Sequence, residues 1–506
     1  MGRSARGALL ALLLVAVGAT LAASAGASPR QFSIIQDDAT FVYGKEGRDP
    51  DAALAQAKAL GADTVRVFLT WHSVSPNQDE RAAPPDFDVS DPDSPHYRWE
   101  LYDALIERAR ANGMKVLITI APPIPWWASE QPRRCPHFIG GYRELGLSCM
   151  WKPSVPLFAR FVRAVVRRYG SRATGPYGGQ VALWSLFNEP NLEHYLLPQT
   201  KRTRFGIVDL AARRYRELWI AGWREIARHD PPSRNRVLFG DTAAISSPMD
   251  TLYAALCLDE RGRPFAGRLR RLQGCARVRR LPIAGLALHP YNNFALGSVH
   301  TRSATGDSLP MAYLGRAHAL LDRAARLRRI PRRRPIYITE FGFQSSPPNR
   351  RAKGLPLHRH AAAINEAERL FHADRRIRSV AQYELFDPPT TDVFNTGLLL
   401  ADGRPKSARD AYRMPLVVTR LDRDRVEIWG QARPATGRVR VEVRVLGGAG
   451  GRVSWRPRTN LSGYFSFRVR RPRAARLRYR ASWTSPEGEQ MLSRVARPGK
   501  PIEYRG

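Results

Sequence analysis

Two glutamates stand where apolar runs end. Phe187-Asn188-Glu189-Pro190 closes the run 181–187, and Thr339-Glu340-Phe341-Gly342 closes the run 335–341. Two carboxyls facing each other across a sugar-sized gap suit glycosidic bond hydrolysis. One, protonated, donates to the leaving oxygen; the other stays ionised and supports or captures the cationic sugar carbon. The first must keep its proton near neutral pH, which needs burial or a like-charged neighbour. Glutamate is common, so neither residue signals alone. The shared context, a carboxylate directly after an apolar strand, carries the signal.

The elements that must position this pair follow a repeating pattern. Short β-branched runs at 63–69, 115–121, 181–187, 235–240, 283–288, 335–341 and 379–385, with an earlier one at 32–36, predict strands. Helical periodicity predicts helices at about 50–60, 99–112, 155–169, 208–228, 312–328, 358–374 and 405–413. Strand and helix alternating about eight times predict parallel strands with crossover helices. The strands are almost continuously apolar, as strands buried on both faces are. The repeat number favours a closed (β/α)8 TIM barrel over an open sheet, and no glycine-rich dinucleotide loop follows the first strand. Active sites of such barrels lie at the C-terminal ends of the strands, where both glutamates fall.

On these residues the chain resembles the clan A glycoside hydrolases, retaining (β/α)8 glycosidases with catalytic glutamates on strands four and seven. The Asn188-Glu189-Pro190 tripeptide and Glu340 in ITEFGF carry the resemblance. It implies Glu189 as acid/base and Glu340 as nucleophile. It also implies that Asn188 bonds the sugar 2-hydroxyl and that Arg66, in VRVFLTW, supports the nucleophile. His289 and Tyr291, in LALHPY, match the family's His/Tyr position, where Tyr commonly bonds the nucleophile. The stretch 397–412 is similar to the strand-eight loop and last helix of families 5 and 39, and the resemblance spans roughly 35–412.

One departure stands out. Strand eight lacks the tryptophan that floors the sugar site in many clan members. It runs Ala381-Gln382-Tyr383-Glu384-Leu385-Phe386-Asp387, leaving Tyr383 or Phe386 as the replacement. Trp71 after strand two and Trp126 and Trp127 after strand three are candidate sugar platforms, since flat rings match the apolar faces of pyranoses.

From about 413 to 506 the pattern changes to alternating strands at 416–421, 424–430, 437–445, 463–469 and 476–484. Turns are expected at GGAGG (447–451) and NLSG (460–463). This predicts a small antiparallel β-sandwich that packs on the barrel or binds carbohydrate. Residues 1–27 read as a signal peptide: Arg3 and Arg6, the apolar run 8–17, and small residues up to Ala25-Gly26-Ala27. No other segment is long and apolar enough to span a bilayer. The barrel is then expected over 28–412. In an exported chain the four cysteines pair locally, Cys135 with Cys149 and Cys257 with Cys275. No CxxC or HxxxH pair points to a metal.

The formal net charge is +36, nearly all from arginine. This reads as a composition bias carried on solvated faces. Attraction to an anionic cell-wall polymer is the functional alternative. Nucleic acid is not an expected partner, because basic stretches such as that around 327–335 lack interleaved aromatics. The expected activity is retaining hydrolysis of an oligo- or polysaccharide outside the cell, with no cofactor. Two alternatives share the sequence: a transglycosylase at the same site, and a non-catalytic binder of anionic surface polysaccharide.

Overall fold

The computed structural model describes residues 31–135, 149–292, 295–302, 305–349, 354–389, 394–447 and 453–505. The expected signal peptide lies outside these residues, as does most of the GGAGG turn. Eight parallel strands form one sheet. They are β1 (Phe32–Gln36), β2 (Thr64–Thr70), β3 (Lys115–Ala121), β4 (Val181–Leu186), β5 (Val237–Ala243), β6 (Leu286–His289), β7 (Ile336–Ile338) and β8 (Ser379–Tyr383). Their spatial order is β8-β1-β2-β3-β4-β5-β6-β7. The two ends of the sheet are brought together by backbone bonds. Ile336 N donates to Arg376 O at 2.8 Å, and Tyr383 N donates to Phe341 O at 2.9 Å. The sheet is therefore a nearly closed barrel.

A helix follows each strand: α1 (Pro50–Ala59), α2 (Glu100–Ala111), α3 (Val155–Tyr169), α4 (Leu210–His229), α5 (Pro248–Ala255), α6 (Gly315–Arg326), α7 (Leu357–Ala373) and α8 (Ser407–Arg413). Local chemistry starts several of them. Asp49 accepts from Asp51 N ahead of Pro50, and Asp209 accepts from Ala212 N at 2.7 Å. The helix α5 was not expected from sequence, because eight residues give too few turns for a periodic signal.

Alternation along the strands sorts their side chains. Val65, Val67, Val116 and Ile118 face outward, into the cluster that packs the helices. Ile34, Leu117, Leu183, Leu238, Ala287 and Ala381 form a separate cluster inside the barrel. With a period of two, the residues one pleat above this inner layer also face the axis: Gln36, Thr119 and Ser185, with Arg66 between the outward Val65 and Val67. The barrel interior is thus apolar below and polar above.

The C-terminal region carries two antiparallel sheets. One joins β9 (Leu416–Arg420), β10 (Arg425–Gln431) and β13 (Tyr464–Arg470). The other joins β11 (Glu442–Leu446), β12 (Ser454–Trp455), β14 (Arg478–Thr484) and β15 (Gln490–Leu492). Both contribute to one apolar cluster, including Val426, Ile428, Val443, Phe465 and Tyr479. Val441 and Val443 are buried while Arg440 and Arg444 are exposed, the two-faced pattern expected of 437–445. The NLSG turn is present: Gly463 N donates to Asn460 O at 3.1 Å, with Gly463 at φ +78°. The strands β12 and β15 escaped the sequence reading, being only two and three residues long.

This region packs on α7 and α8 through buried polar contacts. Arg433 lies over the Tyr412 ring at 4.1 Å, donates to Tyr412 O at 2.7 Å and pairs with Glu368 of α7 at 2.5 Å. Burial pushes the Glu368 carboxyl up to about 7 against the opposing pull of Arg433. Trp429 Nε1 donates to His372 Nδ1 at 3.1 Å. Both expected disulfides, Cys135–Cys149 and Cys257–Cys275, are formed. Among the described residues, no helix is long and apolar enough to cross a membrane.

Candidate active site

Arg66 organises the upper barrel interior. Its side chain is fully buried and its guanidinium reaches five side chains. Nε donates to Thr119 Oγ1 at 3.1 Å, and Nη1 to Gln36 Oε1 at 2.5 Å and to Glu340 Oε1. Nη2 donates to Asn188 Oδ1 at 3.2 Å and to Asp241 Oδ2 at 3.3 Å. A buried guanidinium is costly unless its five donors are satisfied, and here each nitrogen has a partner.

Asp241 is the second anchor. It sits at a bulge in β5, where the register shifts between Gly240 and Thr242, and its φ of +45° turns the side chain inward. Thr339 Oγ1 donates to it at 2.5 Å, and Ser185 Oγ donates as well. Burial opposes its ionisation. The Arg66 charge, the His289 hydrogen bond and charge, and Ser185 outweigh burial and hold the carboxyl well below the usual range.

Glu189 and Glu340 rise from this base. Strand β4 ends at Leu186, and Phe187 and Glu189 take φ of +84° and +40°. Such values are rare for residues other than glycine and mark a tight turn in the chain. The Glu189 N–H donates to Asp241 O at 2.8 Å, fixing that turn to β5. Glu340 lies just past β7, which ends at Ile338 rather than at 341. Its Oε2 accepts from the Tyr291 hydroxyl at 3.2 Å. His289 Nδ1 is 2.7 Å from Glu189 Oε1 and 3.7 Å from Glu340 Oε2, and its Nε2 is 3.4 Å from Asp241 Oδ1. An oxygen of each glutamate and a ring nitrogen of His289 all lie within 4.8 Å of one another.

Electrostatics raises the proton affinity of Glu189. Burial raises the Glu189 pKa, and the charge of Glu340 adds to it. The hydrogen bond and charge of His289, and the charge of Arg66, pull the other way without cancelling it. Burial disfavours the imidazolium of His289, but Glu340, Asp241 and Glu189 surround it and push its pKa up to about 9. Burial and the Glu340 charge raise the Tyr291 phenol well above its ordinary value, so it remains a donor. Two carboxylates and a histidine also have the donor chemistry of a cation site. A protonated His289 offers no lone pair, however, and Arg66 already supplies positive charge to Glu340.

Six sequence candidates therefore meet in one cluster: Arg66, Asn188, Glu189, His289, Tyr291 and Glu340. Tyr383 stands beside them. The rings of Tyr383 and Tyr291 both contact Phe394 edge-on, with centroids 6.1 and 5.6 Å away. Phe386 is covered instead by the Arg48 guanidinium at 4.7 Å. Trp71 is a correction. It is 1 % exposed and packs against Trp127, Phe158 and Phe161, so neither face is open to a sugar. Trp127 is buried with it, while Trp126 is only half-buried. Sequence reasoning missed Asp241, although in the sequence it too directly follows an apolar run, 235–240. The expected strand stopped one residue short of it. Asp37 and Asp38 after β1 and Glu384 after β8 were also passed over. Asp38 is half-buried, accepting from Phe68 N and Gln36 Nε2, and desolvation pushes it up to about 6.

No family model and no curated protein matches the chain. Solved structures do. A glucosidase from Croceicoccus marinus is similar over 88 % of this chain and 97 % of its own, with 14 % identity and a TM-score of 0.50. A calcium-binding mutant of Bacteroides uniformis beta-glucuronidase 2 is similar over 93 % of this chain and 46 % of its own, at 12 % identity and a TM-score of 0.42. A beta-glucosidase from Exiguobacterium marinum covers 72 % of this chain and 84 % of its own, at 16 % identity and a TM-score of 0.39. At these identities the likeness to the first of them is a likeness of fold.

Proposed function

We propose that this chain is an exported, retaining glycoside hydrolase of the clan A type, with Glu189 as acid/base and Glu340 as nucleophile. The observation that carries this reading is the meeting of two carboxyls from the ends of β4 and β7. Their nearest pairing lies within 4.8 Å, close to the separation of about 5–5.5 Å used for double displacement. The Croceicoccus glucosidase, which shares the fold, is compatible with the same chemistry.

In the first step Glu189 gives its proton to the glycosidic oxygen while Glu340 attacks the anomeric carbon. The leaving alcohol departs and a glycosyl ester forms on Glu340. Esterification removes the Glu340 charge, one of the two causes that raise the Glu189 pKa. Glu189 then holds its proton less tightly and acts as base toward water. Attack by water on the anomeric carbon releases Glu340 and retains configuration. Arg66 and Tyr291 hold Glu340 in place by hydrogen bonds, and Asn188, bonded to Arg66, is the residue assigned to the sugar hydroxyl next to the reacting carbon.

The test is a hydrolysis screen over aryl glycosides and polysaccharides with Glu340→Ala as the blank. Loss of all turnover, with a 2-fluoro glycoside label on the Glu340 peptide of the wild type, is expected. Unchanged turnover in the variant overturns the assignment.

A further inference from the structure

We propose that the hairpin Thr200–Asp209 docks the protein onto anionic lipid bilayers. It is a two-stranded antiparallel ribbon, Thr200–Thr203 paired with Gly206–Asp209. Thr203 closes its tip, with its hydroxyl donating to Gly206 O at 2.7 Å and accepting from Phe205 N at 3.2 Å. Phe205 is 44 % exposed and Ile207 57 % exposed, two large apolar side chains two positions apart at one tip. Scattered exposed apolar residues are ordinary; neighbouring ones at one exposed hairpin tip are not. Lys201, Arg202 and Arg204 flank them, all exposed, and residues 200–208 contain no carboxylate.

The hairpin is held at its base. Gln273 Oε1 accepts from Asp209 N at 3.1 Å, and Gln273 Nε2 donates to Asp209 O at 2.7 Å. Gln273 belongs to the segment closed by the Cys257–Cys275 disulfide. That segment adds exposed Arg268, Arg270 and Arg271, and its Leu269 lies beside Gly206. The result is an apolar tip, tied down at its base, in a basic collar.

Lipid fits this chemistry better than a polyanionic glycan. A glycan would use the cations, but the aliphatic Ile207 gives it neither a hydrogen bond nor a flat platform. A bilayer uses both parts: the apolar tip enters the headgroup boundary while the cations meet phosphates. The Arg204 guanidinium sits over the Phe205 ring at 4.8 Å, so ring and charge lie together at that boundary. The hairpin lies in the connection from β4 to α4, the same end of the barrel as Glu189, so docking turns the catalytic mouth toward the surface. The inference does not depend on the catalytic reading, because its readout is binding.

The experiment is sedimentation of the full chain with vesicles of equal parts phosphatidylglycerol and phosphatidylcholine, against phosphatidylcholine alone. Wild type is expected to pellet with the anionic vesicles only. K201Q/R202Q/R204Q should partition about a hundredfold more weakly, each surface cation contributing about a factor of five. F205S/I207S should lose at least about tenfold while keeping its charge. Thermal melts of both variants should match wild type, since the changed side chains are exposed. Three results overturn the proposal. One is no pelleting by wild type. Another is pelleting unchanged in the charge variant. The third is F205S/I207S pelleting as well as wild type while soluble heparin competes, which would assign the patch to anionic glycans.

Discussion

Arg66 and Asp241 pair at 3.3 Å with both side chains wholly shielded from solvent, directly beneath the two glutamates. The pair leaves one guanidinium nitrogen for Glu340, so the charge that orients this carboxylate is itself held from below. Replacing one partner of a buried pair strands the other. Arg66→Met should therefore cost about 3–5 kcal/mol of stability. Urea denaturation measures this, and turnover should fall further than the fraction folded explains.

The raised pKa of Glu189 depends partly on the Glu340 charge. In Glu340→Gln that charge is absent, and the Glu189 titration should move down. Infrared difference spectroscopy of carboxyl protonation, compared with Glu340→Gln/Glu189→Gln, reads the shift. An unmoved midpoint would contradict the proposed switch from acid to base. For Glu189→Ala the loss of rate should reach about 10²–10⁴-fold on substrates with poor leaving groups. It should be much smaller on activated aryl glycosides, which need no proton.

The Tyr291 hydroxyl gives Glu340 one hydrogen bond at 3.2 Å. A hydrogen bond to a charged group contributes about 1.5–3 kcal/mol, so Tyr291→Phe should lower kcat/KM by roughly 10- to 100-fold. Steady-state kinetics at fixed pH checks this.

Stability should depend on pH in opposite senses at two residues. His289 is raised from 6.5 to about 9 on folding. Its contribution is complete below about pH 6.5 and is lost as pH rises through about 9. Asp241 is depressed below 3.8, so its contribution is complete above that value and is lost as pH falls beneath it. Melting temperatures of wild type and His289→Asn should diverge in the acid direction from about pH 9 and stay parallel above it.

Trp71 packs on three aromatic rings. Trp71→Ala should cost about 3–5 kcal/mol in stability. KM for any cleaved glycoside should stay unchanged at a temperature where the variant is folded.

The alternation of apolar runs with helical periods was enough to read the barrel, because a strand buried on both faces must be apolar along its whole length. The proposed catalytic pair was readable for the opposite reason: Glu189 and Glu340 break that rule where an apolar run stops. Asp241 breaks it in the same way, but a bulge carries it inward and no local pattern announces a bulge. Arg66 and Trp71 illustrate the limits from two sides. An arginine between two valines on a strand is legible as inward-facing. A tryptophan after a strand does not disclose whether its ring meets solvent or Phe161. Short elements such as α5 and β12 lie below the length at which any period can show.

The seam between the barrel and the C-terminal sheets bears on how the chain can be divided. Glu368 belongs to α7, but the cation that answers it, Arg433, comes from beyond the last barrel helix. A protein ending after Arg413 would lose both that cation and Tyr464, which lines the same seam, and so would open the buried face of α7 at Glu368 to water. The two parts are then expected to melt together, and the barrel cut off at Arg413 to be less stable than it is in the whole chain.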